Sequence, residues 1–254
     1  MNLAGKNVLI YGIANSHSIA YGIAKELQNQ GCNIGLSYAS QALIKRVLPI
    51  AEEVGAKFCL ECDVSKDYEI RELYSQIAKQ WDKIDIIVHS IAYAPKDELN
   101  LDFHNTSRHG FIVAMDISVY SLIAVVREAM PYLSPDASIL TLTYYGSQKV
   151  APNYGVMGVA KAALESAVRY LAYSLGEHGI RINALSAGPI RTLSSSAVSG
   201  LSQLQKRIEK TAPLARNITL EDIAKSAVYL VSDLSSGVTG ETLYVDAGIN
   251  IMAY

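Results

Sequence analysis

Residues 143–163, TYYGSQKVAPNYGVMGVAKAA, hold three tyrosines and, seven residues after the last of them, a lysine, a set that could perform chemistry. Tyr154 and Lys161 are seven residues apart, and Tyr144 lies ten residues before Tyr154. On a helix, seven residues turn through about 700°, so the pair falls within roughly 20° of one face, about 10 Å apart along the axis. The position one turn after Tyr154 is Gly158, not a second cation. An ammonium on the same side as a phenol favours a phenol that donates or loses a proton.

The elements that must position these groups alternate between strand and helix. Apolar runs NVLIYG (7–12), NIGLSY (33–38), FCLECDV (58–64), DIIVHSIA (85–92), SILTLTY (138–144), RINALSAG (181–188) and TLYVDAG (242–248) read as strands. Helices are expected over Ser18–Gln30, 41–54, 67–80, broadly 107–132 with a stop near Pro131, about 154–177, and 219–232. Continuous apolar strands separated by helices predict a Rossmann-like doubly wound α/β fold. It has about seven parallel strands covered on both faces, in a single domain over residues 1–254. In such sheets ligands bind beyond the carboxyl ends of the strands. Gly12, Asp63, Ser90-Ile91-Ala92, Tyr144 and Ala187-Gly188-Pro189 all close a predicted strand.

The turn after the first strand, GIANSHSIAYG (12–22), is not G-x-G-x-x-G, but its parts suit a pyrophosphate. Gly12 permits a sharp turn, and Ser18 can cap the helix. Free N–H groups at Ser18 and Ile19 would then face an anion at the positive end of the helix dipole. After the second strand, Ser37-Tyr38-Ala39-Ser40 is neither acidic nor basic, so NADH and NADPH both stay open. Asp63 could take the adenine amino group or simply begin a helix. Lys161 can reach ribose hydroxyls.

With 254 residues and 27.5 kDa, the chain can bury one sizeable core. A net charge of −2 gives no electrostatic reason to expect nucleic acid or an anionic membrane. The N-terminus lacks the pattern of a signal peptide, and no apolar run suggests a membrane span, so a cytoplasmic location is expected. Cys59 and Cys62 form C-x-x-C within a strand candidate, where residues three apart point to opposite faces. Small core residues and no metal site are expected.

Taken together, Tyr144, Tyr154-x6-Lys161, the SIAYG helix start, HSIAYAP (89–95) and SAGPIRTL (186–193) resemble the bacterial enoyl-acyl-carrier-protein reductases. These are a divergent branch of the short-chain dehydrogenase/reductase superfamily that serves type II fatty-acid synthesis. The resemblance runs from about Leu3 to Ile251. It implies NADH-dependent reduction of a trans-2-enoyl thioester, with a homotetramer as the assembly and an acyl carrier protein as partner. It implies Tyr144, Tyr154 and Lys161 as catalytic residues. Gly12, Ser18, Ile19, Asp63, Val64, Ile91, Lys161, Ile190 and Thr192 would hold the cofactor. Ala92 would line it, while Ala94, Tyr144 and Tyr154 would meet the substrate.

Within that resemblance, Ser118 falls where conventional superfamily members carry a relay asparagine, and Ala39 where some relatives carry glutamine. Residues 190–212 would form the substrate loop, and the small polar run 193–204 would be a mobile lid. Lys206, Arg207 and Lys210 would face the acidic carrier. His89 is expected in the sheet core. Two rivals remain at this point: a ketone or alcohol dehydrogenase on the same fold, and a nucleotide-binding protein without chemistry.

Overall fold

The computed structural model describes residues 2–192 and 201–253. Seven strands form one parallel sheet in the order β3-β2-β1-β4-β5-β6-β7. They are β1 (Asn7–Tyr11), β2 (Asn33–Tyr38), β3 (Phe58–Glu61), β4 (Ile84–His89), β5 (Leu133–Thr143), β6 (Arg181–Ala187) and β7 (Thr242–Val245). The predicted fold class is the observed one.

Strand side chains alternate between faces, so β1 feeds two cores. Val8 and Ile10 pack with Ile23 and Leu27 of α1 (Ile19–Asn29), Val47 and Ile50 of α2 (Ile44–Glu53) and a later helix described below. Leu9 and Tyr11 face the other way, onto Ile70 and Leu73 of α3 (Asp67–Ile77). The sheet is therefore apolar on both sides, which is why its strands read as continuous hydrophobic runs.

A short helix α4 (Lys96–Leu99) follows β4, and three segments then form one long helical stretch. These are α5 (Arg108–Met115), a π-helical turn at Asp116–Tyr120 and α6 (Ser121–Ala129). Within Arg108–Tyr132 the most apolar window has mean hydropathy 1.8, and by length and composition alone the helical stretch could cross a bilayer, where the sequence reading expected no such run. Half of its most apolar window is buried inside the protein, where Leu122, Val125 and Val126 join the α3-side core. Its apolar character thus has a packing explanation.

Helix α7 (Gly155–Gly176) lies beside them and sends Ala160, Leu164 and Val168 into the same core. A further helix, α8 (Leu201–Thr211), occupies the end of a segment whose Ser-rich composition gave no helix signal. Helix α9 (Leu220–Val231) packs against α1. Its Thr219–Asp222 capping box is complete: the Thr219 hydroxyl accepts from the Asp222 N–H, and the Asp222 carboxylate accepts from the Thr219 N–H.

Candidate active site

Strand order reverses across β1 and β4, and the unusual residues gather beyond the carboxyl ends there. Gly12 leaves β1 with φ +86°, and a Cβ placed on it would lie 2.0 Å from the Ser90 carbonyl oxygen. Only glycine lets the β1 and β4 exits approach this closely. Helix α1 begins immediately after, with Ser18 as its cap residue.

The expectation of a free N–H at Ser18 is corrected. That N–H donates to the Asn15 carbonyl at 3.1 Å, and the Ser18 hydroxyl donates to the same oxygen at 2.6 Å. The hydroxyl closes the loop instead of capping the helix, leaving the first turn of α1 open at Ile19. Asn15, Ser16 and His17 line a cleft with Arg46 and Glu53 beside this turn. The glycine exit, the short loop and the helix N-terminus together fit a dinucleotide's pyrophosphate.

Asp63, after β3, accepts from the Ser65 N–H at 3.1 Å and hydroxyl at 2.7 Å, and pairs with Lys66 at 3.1 Å. Burial pushes its carboxyl up, but the Ser65 hydrogen bonds and Lys66 outweigh it and hold it below the usual range. Val64, beside it, is buried in the core. Asp63 therefore has a local structural role whatever else it meets.

After β4, Ile91, Ala92, Tyr93 and Ala94 form an exit loop. Ser118, in the π-helical turn, fastens it: the hydroxyl donates to the Tyr93 carbonyl and accepts from the Tyr93 N–H, both at 3.0 Å. Ala92, Ala94 and Tyr154 pack on one small cluster made by Leu99, Ala114, Val156 and Met157. Ala94 and Tyr154 thus share one small apolar cluster. After β6, Gly188 approaches Asp246, with Ile190 and Thr192 following. Ile190 packs on the α1-side core.

Tyr154 is the cap residue of α7, with φ −130° and ψ 14°, and not a member of the helix. The helix that carries Lys161 therefore starts at Gly155, one residue after the tyrosine that the shared-face expectation counted as helical. The tyrosine still reaches the cleft because its side chain leaves from the cap. Its ring meets Tyr144 edge to face, with centroids 5.0 Å apart and planes at 79°. Burial and the neighbouring Tyr144 raise the Tyr154 phenol above its ordinary range. Burial and then Asp246 do the same for Tyr144. Both phenols are kept protonated and ready to donate.

Gly146 is the floor beneath these rings. A Cβ there would come 2.8 Å from Tyr154 and 3.1 Å from Tyr144. Gly158 faces the same turn, and a Cβ on it would lie 2.8 Å from the Gly146 carbonyl oxygen. No side chain fits there without moving backbone, so a lysine one turn after Tyr154 is sterically excluded. The absent lysine at position 158 has a physical cause.

Lys161 is 4% exposed, and its ammonium donates to the Leu142 carbonyl at 2.7 Å. Burial pushes its amine down to about 8, opposed by the Glu165 carboxylate. Glu165, which the sequence reading missed, is 6% exposed and accepts from Thr143 at 2.7 Å and Ser147 at 2.6 Å. A glutamate one turn after the lysine was the available signal. Asp246, also missed, accepts from the Gly248 and Asn250 N–H groups at 2.9 and 3.0 Å.

His89 is fully buried, as expected. Its ring nitrogens meet Thr141 at 3.0 Å and Ser121 at 2.8 Å. Burial, then the Lys161 charge, push the imidazole down to about 3. Cys32, Cys59 and Cys62 are unpaired thiols, and burial raises each, to about 11, 11 and 12. The predicted lid begins at 193; residues 193–200 lie outside the described residues. Lys206, Arg207 and Lys210 are exposed on α8, whose Ile208 is buried.

The family model described as "Enoyl-(Acyl carrier protein) reductase" matches residues 12–250. The NADH-dependent enoyl-acyl-carrier-protein reductase FabI of Aquifex aeolicus is 50% identical over 98% of this chain and 93% of its own. A crystal structure of the Aquifex aeolicus VF5 reductase has TM-score 0.97 and 49% identity, covering 100% of both chains. That of the Bacillus cereus reductase with NADP+ and indole naphthyridinone has TM-score 0.97 and 45% identity. It covers 100% of this chain and 99% of its own.

Proposed function

The chain belongs to the enoyl-acyl-carrier-protein reductase family, and from that premise we propose how its residues work. It is an NADH-dependent enoyl reductase of fatty-acid biosynthesis that saturates the double bond of an enoyl-acyl-carrier-protein. When bound, the nicotinamide supplies the hydride that reaches the β-carbon. Negative charge then grows on the thioester oxygen as an enolate.

Tyr154 donates to that oxygen, stabilising charge that is absent from the ground state. A raised phenol keeps the proton in place for this task. Lys161 holds the ribose diol and lends positive charge to the cleft. Tyr144, edge-on to Tyr154, shapes the acyl side and assists delivery of the proton that completes the α-carbon. Gly12, Ile19, Asp63, Val64, Ile91, Ile190 and Thr192 line the cofactor, with Ser18 closing its loop. Ala94 meets the acyl chain. The observation that carries this reading is the edge-to-face pair of raised phenols one short helix segment from a buried lysine.

A ketone reductase needs a proton relay to the carbonyl oxygen. Ser118, committed in both directions to Tyr93, is occupied in holding the loop, which favours the enoyl reading. The exposed cations Lys206, Arg207 and Lys210 on α8 favour an acidic carrier. Exposed Phe111, Ile112, Ile123, Val159 and Tyr173 on α5, α6 and α7 favour burial of this face in a homotetramer. The single domain of residues 1–254 acts in the cytoplasm, where its carrier-linked substrate is made.

The deciding experiment follows NADH and NADPH oxidation with crotonyl and longer enoyl thioesters, beside a ketoacyl thioester. Oxidation of NADH on enoyl substrates alone is expected. Folded protein that turns over neither cofactor on any enoyl substrate overturns the reading.

A further inference from the structure

Helix α7 grips the turn carrying Tyr144 from both sides. Lys161 holds the Leu142 carbonyl, two residues before Tyr144. Glu165, one helical turn later, accepts from Thr143, just before it, and from Ser147, three residues after. Both charged side chains are almost completely buried, where an uncompensated charge costs several kcal/mol. A carboxylate there could have been replaced by a neutral acceptor if only the two hydroxyls needed a partner. Its charge therefore calls for a second explanation.

We propose that Glu165 is a positioning residue of the catalytic centre: it fixes the turn presenting Tyr144 and sets a buried carboxylate one helical turn from Lys161. The proposal rests on the reading that Lys161 serves the cofactor. Titratable groups face this pair from every packed element. His89 on β4 is neutral, and the Tyr144 and Tyr154 phenols are held protonated. Tyr244 faces Glu165, and burial, then Glu165, Tyr145 and Asp246, raise its phenol. Burial disfavours the ammonium and Glu165 opposes that effect.

The test compares Glu165→Gln with Glu165→Asp. Glutamine keeps an acceptor for Thr143 and Ser147 but removes the charge, whereas aspartate keeps the charge. The first readout is the pH titration of the Lys161 13Cε resonance in cofactor-free protein, assigned by its loss in Lys161→Arg. In Glu165→Gln the midpoint is expected to move about one pH unit lower. The alkaline limb of kcat/KM for NADH should move with it, leaving that constant about fivefold lower at the wild-type midpoint. Glu165→Asp should titrate close to the wild type.

A Glu165→Gln titration superimposed on the wild type overturns the proposal, as does an equal displacement in Glu165→Asp. Failure of Glu165→Gln to fold also overturns it, because the carboxylate would then belong to the fold and not to Lys161. If wild-type protein shows the lysine titration but oxidises no NADH on enoyl thioesters, the reductase reading falls while the Glu165–Lys161 coupling stands.

Discussion

Tyr154 and Lys161 divide the electrostatic work by titrating in opposite directions. Burial raises the phenol and lowers the amine to about 8, so donor and cation coexist only below that value. Activity is therefore expected to fall as pH rises through about 8, read from the alkaline limb of kcat/KM for NADH. Tyr154→Phe removes the donor to the enolate oxygen and should lower kcat by about 10²–10³-fold, with KM for the thioester little changed. Equal kcat values for the variant and the wild type would remove Tyr154 from its role. His89 adds a stability signature. Its folded value, about 3, lies below the ordinary one near 6.5, so the unfolded chain binds the extra proton between them. Stability is then full above about 6.5 and is lost as pH falls, by up to about 1.4 kcal/mol per pH unit. Urea unfolding across that window should show the slope, and His89→Gln should flatten it.

Elements explain what residue types alone left unread. The Tyr154–Lys161 spacing was legible, but the cap geometry of Tyr154 was not, because a tyrosine carries no capping signal. Nor could composition foretell that Ser18 would spend its N–H on Asn15, since that bond depends on how tightly the 12–18 loop closes. The π-helical turn at Asp116–Tyr120 was invisible for a related reason: one extra residue in a helix hardly alters an apolar pattern. Glu165 and Asp246 were missed because partners 18 to 22 residues away, or a local β7 exit, give a carboxylate no periodic mark. The contact between Gly158 and the Gly146 carbonyl belongs to this scale as well. Gly158→Lys recreates the shorter spacing, yet it should displace the Gly146 turn and both tyrosines. The expected result is a lowered melting temperature with activity reduced at least about tenfold, since overpacking costs about 1–3 kcal/mol. Retention of full activity would show that the turn can give way.

For the whole molecule, the doubly wound parallel sheet was readable because both faces are covered and each strand carries an apolar run. The helix at Leu201–Thr211 was the main omission, its polar composition hiding one buried position at Ile208. Assembly is tested at this scale. If the proposed homotetramer forms, Ile112→Glu together with Tyr173→Glu should shift its sedimentation towards smaller species at micromolar concentration, and an unchanged profile would remove that face from the interface. One long-range bond bears on how the enzyme is made. The Tyr145 hydroxyl donates to the Asn250 carbonyl at 2.8 Å, and Gly188 donates to Val245, so the Tyr144 turn and the β6 exit lean on β7 and the residues after it. Those residues leave the ribosome after every other strand. A nascent chain can lay down six strands and still lack the supports of the Tyr144 turn, so the proposed cleft is finished only when β7 and the residues after it have joined, and not by degrees.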